Sequence, residues 1–176
     1  MKKLFVGFLF LLFILEGSVF QRLLPQAWGS TFVVIPQLVV SGMIAISLYL
    51  PRRYVLLISF IFGLLHDIVY GPALGISAIT LPLVAYGTYR LAAYVPPFQW
   101  VAGVLTAWGQ LIYLILIYGW DRLFDFTDLP VFLSLWNYII PSTLFNVLIG
   151  YPIFKIIHLI YQKKRNRSII FDTILR

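Results

Sequence analysis

At 176 residues, 61% of them hydrophobic and only 11% charged, the chain lacks the polar surface of a soluble domain, which carries about 25% charged residues. With a mean hydropathy of +0.95 it reads as an integral membrane protein, with room for roughly five or six spans of about 20 residues and no sizeable soluble domain. The absence of cysteine excludes disulfides, thiolate metal sites and a cysteine nucleophile, and the net charge of +7 reads as a cytoplasmic excess of Lys and Arg instead of a nucleic-acid surface.

Lys2-Lys3 precede the first apolar run, residues 4–20, which continues through Glu16 without a small-x-small cleavage site and so reads as a retained span. A short loop with Arg22, Pro25 and Trp28 leads to a second span at 31–50, with Pro36 in its first turns. Pro51-Arg52-Arg53 forms a turn before a third span at 54–70 and a fourth at 73–94. Between these two, Gly71-Pro72 reads as a left-handed glycine cap followed by a first-turn proline. Gly63, Asp67 and Tyr70 share one helix face, and Gly75, Ala78, Pro82 and Ala85 make a narrow seam of small residues. Such seams let membrane helices approach closely, so this stretch is expected to be a packed hairpin.

Pro96-Pro97 breaks the chain before a fifth span at 98–120, with Gly103, Thr106, Gln110 and Tyr113 on one face. Asp121 to Asp128 is the acidic loop. A sixth span, 130–161, is long enough to tilt or to extend beyond the bilayer, and a basic tail, 162–176, follows, whose apolar-rich end, 168–176, reads as disordered or as a dock for a cytoplasmic protein. The expected organisation is thus a single all-α transmembrane domain over 1–161 with both termini on one side. With the N-terminus inside, only Arg22 and Arg122 of the 13 basic residues fall outside, which places both termini in the cytoplasm.

The run Gly63-x-x-x-Asp67, followed by Gly71, Leu74-Gly75 and Tyr86, resembles the central signature of the bacterial rod shape-determining protein MreD family. The length, six spans, basic termini and short loops agree with that family over nearly the whole chain. The resemblance implies a non-enzymatic, multi-pass subunit of the cell-elongation machinery in the bacterial cytoplasmic membrane. It further implies a partner, the single-span protein MreC, alongside peptidoglycan synthases and the MreB filament system. It also implies a fold similar to the S components of energy-coupling-factor transporters. A substrate-binding subunit of a small-molecule uptake transporter is the alternative.

Asp67 is the sharpest site candidate, because an ionisable residue within a span is costly. It lies near the C-terminal end of its helix, where the dipole disfavours an anion. Arg22, Arg122 or the amides at the start of span four are the groups that could offset it. Its role is either to tie the hairpin together or to meet a partner helix or ligand. His66 points about 100° away from it. Glu16 is expected to pair with Arg22 or to reach the interface. No metal-ligand spacing and no catalytic constellation appears, so no cofactor is expected. Pro82, Pro141 and Pro152 free the carbonyls of Ala78, Asn137 and Leu148, which should bend span six. Asn137 lies on the face of these prolines and Asn146 roughly opposite, so that one faces the bundle and the other a partner, or both bond between helices. The partner-binding candidates are therefore Gly63, Asp67, Gly71, Gly75, Tyr86, Asn137 and Pro141. Lys163, Lys164, Arg165 and Arg167 are assigned to anionic lipid, at about 1 kcal/mol each.

Overall fold

The computed structural model describes residues 2–20, 33–94 and 99–174, and their regular structure is all helical. Helix α1 (Lys2–Leu15) runs on into a π-helical stretch, Glu16–Phe20. Helices α2 (Leu38–Ser47), α3 (Arg52–Tyr70), α4 (Ile76–Ala92) and α5 (Gln99–Leu123) follow. The last rod opens as α6 (Val131–Ser134), passes through a second π-helical stretch, Leu135–Ile139, and continues as α7 (Ile140–Ile174). Arg22 and the side chains of Lys164, Arg165 and Arg167 lie outside the described residues. The tail read as disordered has a helical backbone as far as Ile174, since neither glycine nor proline follows Pro152 to stop it.

Three segments, Arg52–Tyr70, Gly103–Leu123 and Val131–Lys163, are long and apolar enough to cross a membrane. Their outward faces are apolar as well, with Leu57, Phe60 and Ile61 on α3, Val104 and Trp108 on α5, and Leu144 and Leu148 on α7 all exposed. A surface of that kind meets lipid, not water.

The centre of the bundle is α2, in which every residue is buried. A helix apolar all round belongs inside its protein. Phe5, Leu9, Leu12 and Phe13 form the buried stripe of α1, and it fits because Gly42 of α2 has no side chain there: a Cβ would lie 2.7 Å from Leu12 and 2.9 Å from Leu9. Gly109 of α5 and Gly150 of α7 make the same kind of room, for Ile44 and for Thr106 with Ser41.

The stretch expected as a second span, 31–50, is helical only over Leu38–Ser47, and residues 33–37 are extended. Ten helical residues rise about 15 Å, half the thickness of the hydrocarbon layer. Pro36 lacks an N–H for a helical bond and disfavours the helical conformation of its predecessor. The segment stays extended because other helices satisfy its backbone groups.

Helices α3 and α4 pack as an antiparallel hairpin with its turn at residues 71–75. Gly71 ends α3 in an extended conformation, φ −81° and ψ 150°, instead of the expected left-handed one. The left-handed residue is Gly75, φ 108°, and α4 starts after it, not at Pro72. A Cβ on Gly71 would stand 2.9 Å from the Asp67 backbone, so its glycine provides close approach, whereas Gly75 provides the positive φ. A Cβ on Gly63 would overlap the Ser77 carbonyl oxygen and stand 2.8 Å from Ala78 Cα. Both neighbours are backbone and cannot rotate away. Gly63→Ala is therefore expected to destabilise by about 1–3 kcal/mol through overpacking. Gly87→Ala, on α4 with nothing within 4 Å, should be neutral or stabilising, and detergent unfolding of the two variants checks the contrast.

The two ends of the hairpin differ in charge. Lys2 Nζ sits 3.3 Å from the Tyr54 ring centroid and the Arg52 guanidinium 4.6 Å from that of Tyr86. These contacts gather the starts of α1 and α3 with the later turns of α4 at a basic end. Glu16, Asp67 and the start of α4 lie at the other.

Candidate functional site: a cavity between two capped helix N-termini

Asp67 leaves α3 one turn before its end and is 3% exposed. Its Oδ2 accepts the amide protons of Gly75 at 2.8 Å and Ala78 at 3.0 Å, and its Oδ1 accepts that of Ser77 at 2.8 Å. These are the orphan donors of the first turn of α4, which a residue at the cap position ordinarily satisfies. Gly75 has no side chain to do so, and the carboxylate arrives from the neighbouring helix instead. Of the partners proposed from sequence, the amides at the start of the fourth span bond it, and Arg22 lies outside the described residues. The positive end of α4 offsets the unfavourable end of α3.

Glu16 repeats the arrangement. It is 4% exposed, and its Oε2 accepts the Val39 amide at 3.0 Å, in the first turn of the central helix α2. Its Oε1 lies 3.1 Å from His66 Nε2. Its described side-chain partner is thus His66, and the expected Arg22 lies outside the described residues. Adjacent on one helix, His66 and Asp67 turn to different neighbours, as their 100° separation requires. Tyr70 packs on both Phe13 and His66, with ring centroids 5.4 and 5.0 Å away. The π-helical turn at Glu16 shifts its side chain out of α-helical register, a device often found at functional sites.

The extended segment 33–37 completes the frame. Val33 N–H donates to Asn137 O at 3.0 Å, the carbonyl freed by Pro141. Ile35 N–H donates to Ser142 Oγ at 2.9 Å and Gln37 N–H to Asn146 Oδ1 at 2.8 Å. Asn146 Nδ2 returns a bond to Ile35 O at 2.9 Å. Gln110 Nε2 reaches Gln37 O at 3.1 Å and Ser41 Oγ at 2.7 Å. Non-helical backbone inside a membrane protein survives only where such partners exist or where it lines a cavity. Here both hold.

The cavity measures about 360 Å³. The extended segment forms one wall through Val33, Ile35 and Gln37, and the end of α3 with the start of α4 forms another, including His66, Asp67 and Tyr70. Helix α5 contributes Tyr113, Tyr118 and Asp121, the loop Thr127 and Leu129, and the second π-helical stretch Tyr138. Three buried polar atoms of this lining have no hydrogen-bond partner: Gln37 Oε1, His66 Nδ1 and Asp121 Oδ1. Of the tyrosine hydroxyls in the lining, Tyr118 donates to Leu129 O at 2.7 Å and Tyr70 to Phe13 O at 3.5 Å.

Of the residues singled out from sequence, Gly63, Asp67, Gly71 and Gly75 meet at the turn of the hairpin. Tyr86 is remote from them, under Arg52 at the basic end. Asn146 is fully buried in the bundle, whereas the Asn137 side chain is exposed and only its carbonyl bonds inward. Pro141 is half-buried just past the π-helical stretch, and Lys163 is exposed. Sequence reasoning missed the Glu16–His66 pair and the Gln37, Gln110, Ser142 and Asn146 network. The signal was present in Pro36-Gln37 within an apolar run and in Ser142 and Asn146 four residues apart.

A profile of the family described as rod shape-determining protein MreD matches residues 1–164 of the chain. No curated protein and no solved structure matches it.

Proposed function

This chain belongs to the rod shape-determining protein MreD family, and from that premise we propose that it is a non-enzymatic scaffold of the cell-elongation machinery. In this reading it crosses the bacterial cytoplasmic membrane six times, with both termini in the cytoplasm and an S-component-like bundle. It receives the single membrane helix of MreC and thereby helps to position peptidoglycan synthases alongside the MreB system. One observation carries the reading: Asp67 fastens the α3–α4 hairpin into a rigid platform by taking three amides of α4. Because Gly63, Ala78 and Ala85 are buried within the bundle, they shape the platform from inside. The face left for a partner helix is apolar and exposed, with Leu57, Ile61, Leu64 and Ile68 on α3 and Ile79 and Leu83 on α4.

A chain without cysteine suits a cross-linking test. Single cysteines at these positions, with one placed along the membrane helix of MreC, are expected to form disulfides at Ile61, Leu64, Ile79 or Leu83. They should form far less at Leu144, Leu148 and Leu159 of α7, which are equally exposed. Equal cross-linking on the two faces, or none on the hairpin in cells of normal rod shape, would overturn the assignment of this face.

The cavity favours a second reading, a substrate-binding subunit of an uptake transporter, since it holds unpaired polar atoms in an apolar setting. Identifying what is extracted with the chain from native membranes separates the two. MreC supports the scaffold and an ATPase-linked coupling module supports uptake.

A further inference from the structure

Two residues in the wall of the cavity carry buried side-chain oxygens without a donor. Gln37, in the wall of the cavity, is 3% exposed and its backbone N–H and C=O are both bonded, yet its side-chain oxygen is buried without a donor. Asp121 Oδ1 is in the same condition on α5. His66 adds a third unpartnered atom, Nδ1, while its Nε2 lies 3.1 Å from Glu16 Oε1. When Nε2 carries the ring's one proton, Nδ1 is an acceptor. Gln37 Oε1 and Asp121 Oδ1, on two separate walls, are acceptors in any case. The hydroxyl protons of Tyr70 and Tyr118 are turned towards carbonyls. No Lys or Arg stands among the described lining residues, and Asp67 is consumed by α4. Native proteins seldom leave buried acceptors empty, and each one asks for a partner.

We propose that this cavity binds a protonated amine or guanidinium group carried on a small apolar body. Such a group brings several N–H donors and a positive charge to a site with spare acceptors, one of them a carboxyl oxygen of Asp121, and no Lys or Arg among its described lining. The rings of Tyr70, Tyr113, Tyr118 and Tyr138 in the lining suit the same ligand, because aromatic faces attract ammonium ions. At about 360 Å³ the space is at the small end of ligand cavities. The inference holds under either reading above, and its failure would leave the scaffold assignment standing.

The test uses the full chain in mild detergent and a set of probes from methylammonium and guanidinium to 2-phenylethylammonium, with 2-phenylethanol as the neutral counterpart. Calorimetry is expected to show binding of 2-phenylethylammonium and at least tenfold weaker binding of the alcohol. Asp121→Asn and Gln37→Met should each weaken the amine at least fivefold; circular dichroism and gel filtration establish that both remain folded, and Gln37→Met keeps the backbone bonds of residue 37. No binding by any of the cations, equal binding of amine and alcohol, or unchanged affinity in both folded variants would each overturn the proposal. The group has two carriers in principle, a free molecule or a Lys or Arg side chain of another protein. Native mass spectrometry of freshly extracted protein distinguishes them. A small adduct lost on adding the probe indicates the free amine, and a co-purified chain displaced by the probe indicates the side chain.

Discussion

Asp67→Ala is expected to lower the unfolding free energy of the purified protein by about 3–5 kcal/mol, the largest loss from any single side chain outside the apolar core. Hydrogen bonds to a charged group contribute about 1.5–3 kcal/mol each, and stranding a buried donor costs about 1–3 kcal/mol. Asp67 makes three such bonds, but the values are not additive, because amides released at the start of α4 border the cavity and gain water. Asp67→Asn should lose about half as much: one oxygen still accepts, while the new NH₂ faces an amide donor. Asp67→Glu should not rescue the alanine variant, since the longer side chain overshoots amides placed 2.8–3.0 Å from the present oxygens. Titration with sodium dodecyl sulfate, followed by tryptophan fluorescence, measures all three. A loss below 1 kcal/mol for the alanine variant would mean that the hairpin stands by apolar packing alone. The rigid platform on which MreC binding was proposed would then lose its basis.

Asn146→Leu comes second, at about 2–5 kcal/mol. The two side chains are close in volume, so the loss reports hydrogen bonds and not a cavity. Asn146 gives one bond to Ile35 O and takes one from Gln37 N–H, and its removal strands both groups at about 1–3 kcal/mol apiece. Side-chain bonds between membrane helices average only about 0.6 kcal/mol, because the separated helices find other partners. That discount does not apply here. The partners of Asn146 are backbone groups of an extended segment, which has no helical bonds to fall back on. Asn146→Asp should lie between parent and leucine variant, keeping the acceptor for Gln37 and setting an oxygen against the Ile35 carbonyl. Detergent unfolding decides the point. If Asn146→Leu proves as stable as the parent, residues 33–37 take their support from somewhere other than α7.

Much of this protein was determined by sequence alone, wherever composition and local spacing suffice. The apolar excess and the run lengths dictate membrane helices, since no other secondary structure satisfies its own backbone in lipid. Gly63, Asp67, Gly71 and Gly75 marked a packed hairpin, because small residues at helical spacing have one principal use there. Pro141 correctly foretold a freed carbonyl at Asn137, because the missing N–H is a covalent fact. Only the tertiary structure decided which groups answer one another. Glu16 meets His66 and Val39 across 50 and 23 residues, and Gln37 meets Asn146 across 109, separations that no periodicity encodes. The interruption of the second apolar run has the same origin. Pro36 marks a local weakness, but residues 33–37 stay out of the helix because Asn137, Ser142, Asn146 and Gln110 are in place to bond them, which a local reading of an apolar run does not show. Gly71 and Gly75 exchanged their expected roles for that reason too: the turn is set by how far the Asp67 carboxylate must reach to cap α4.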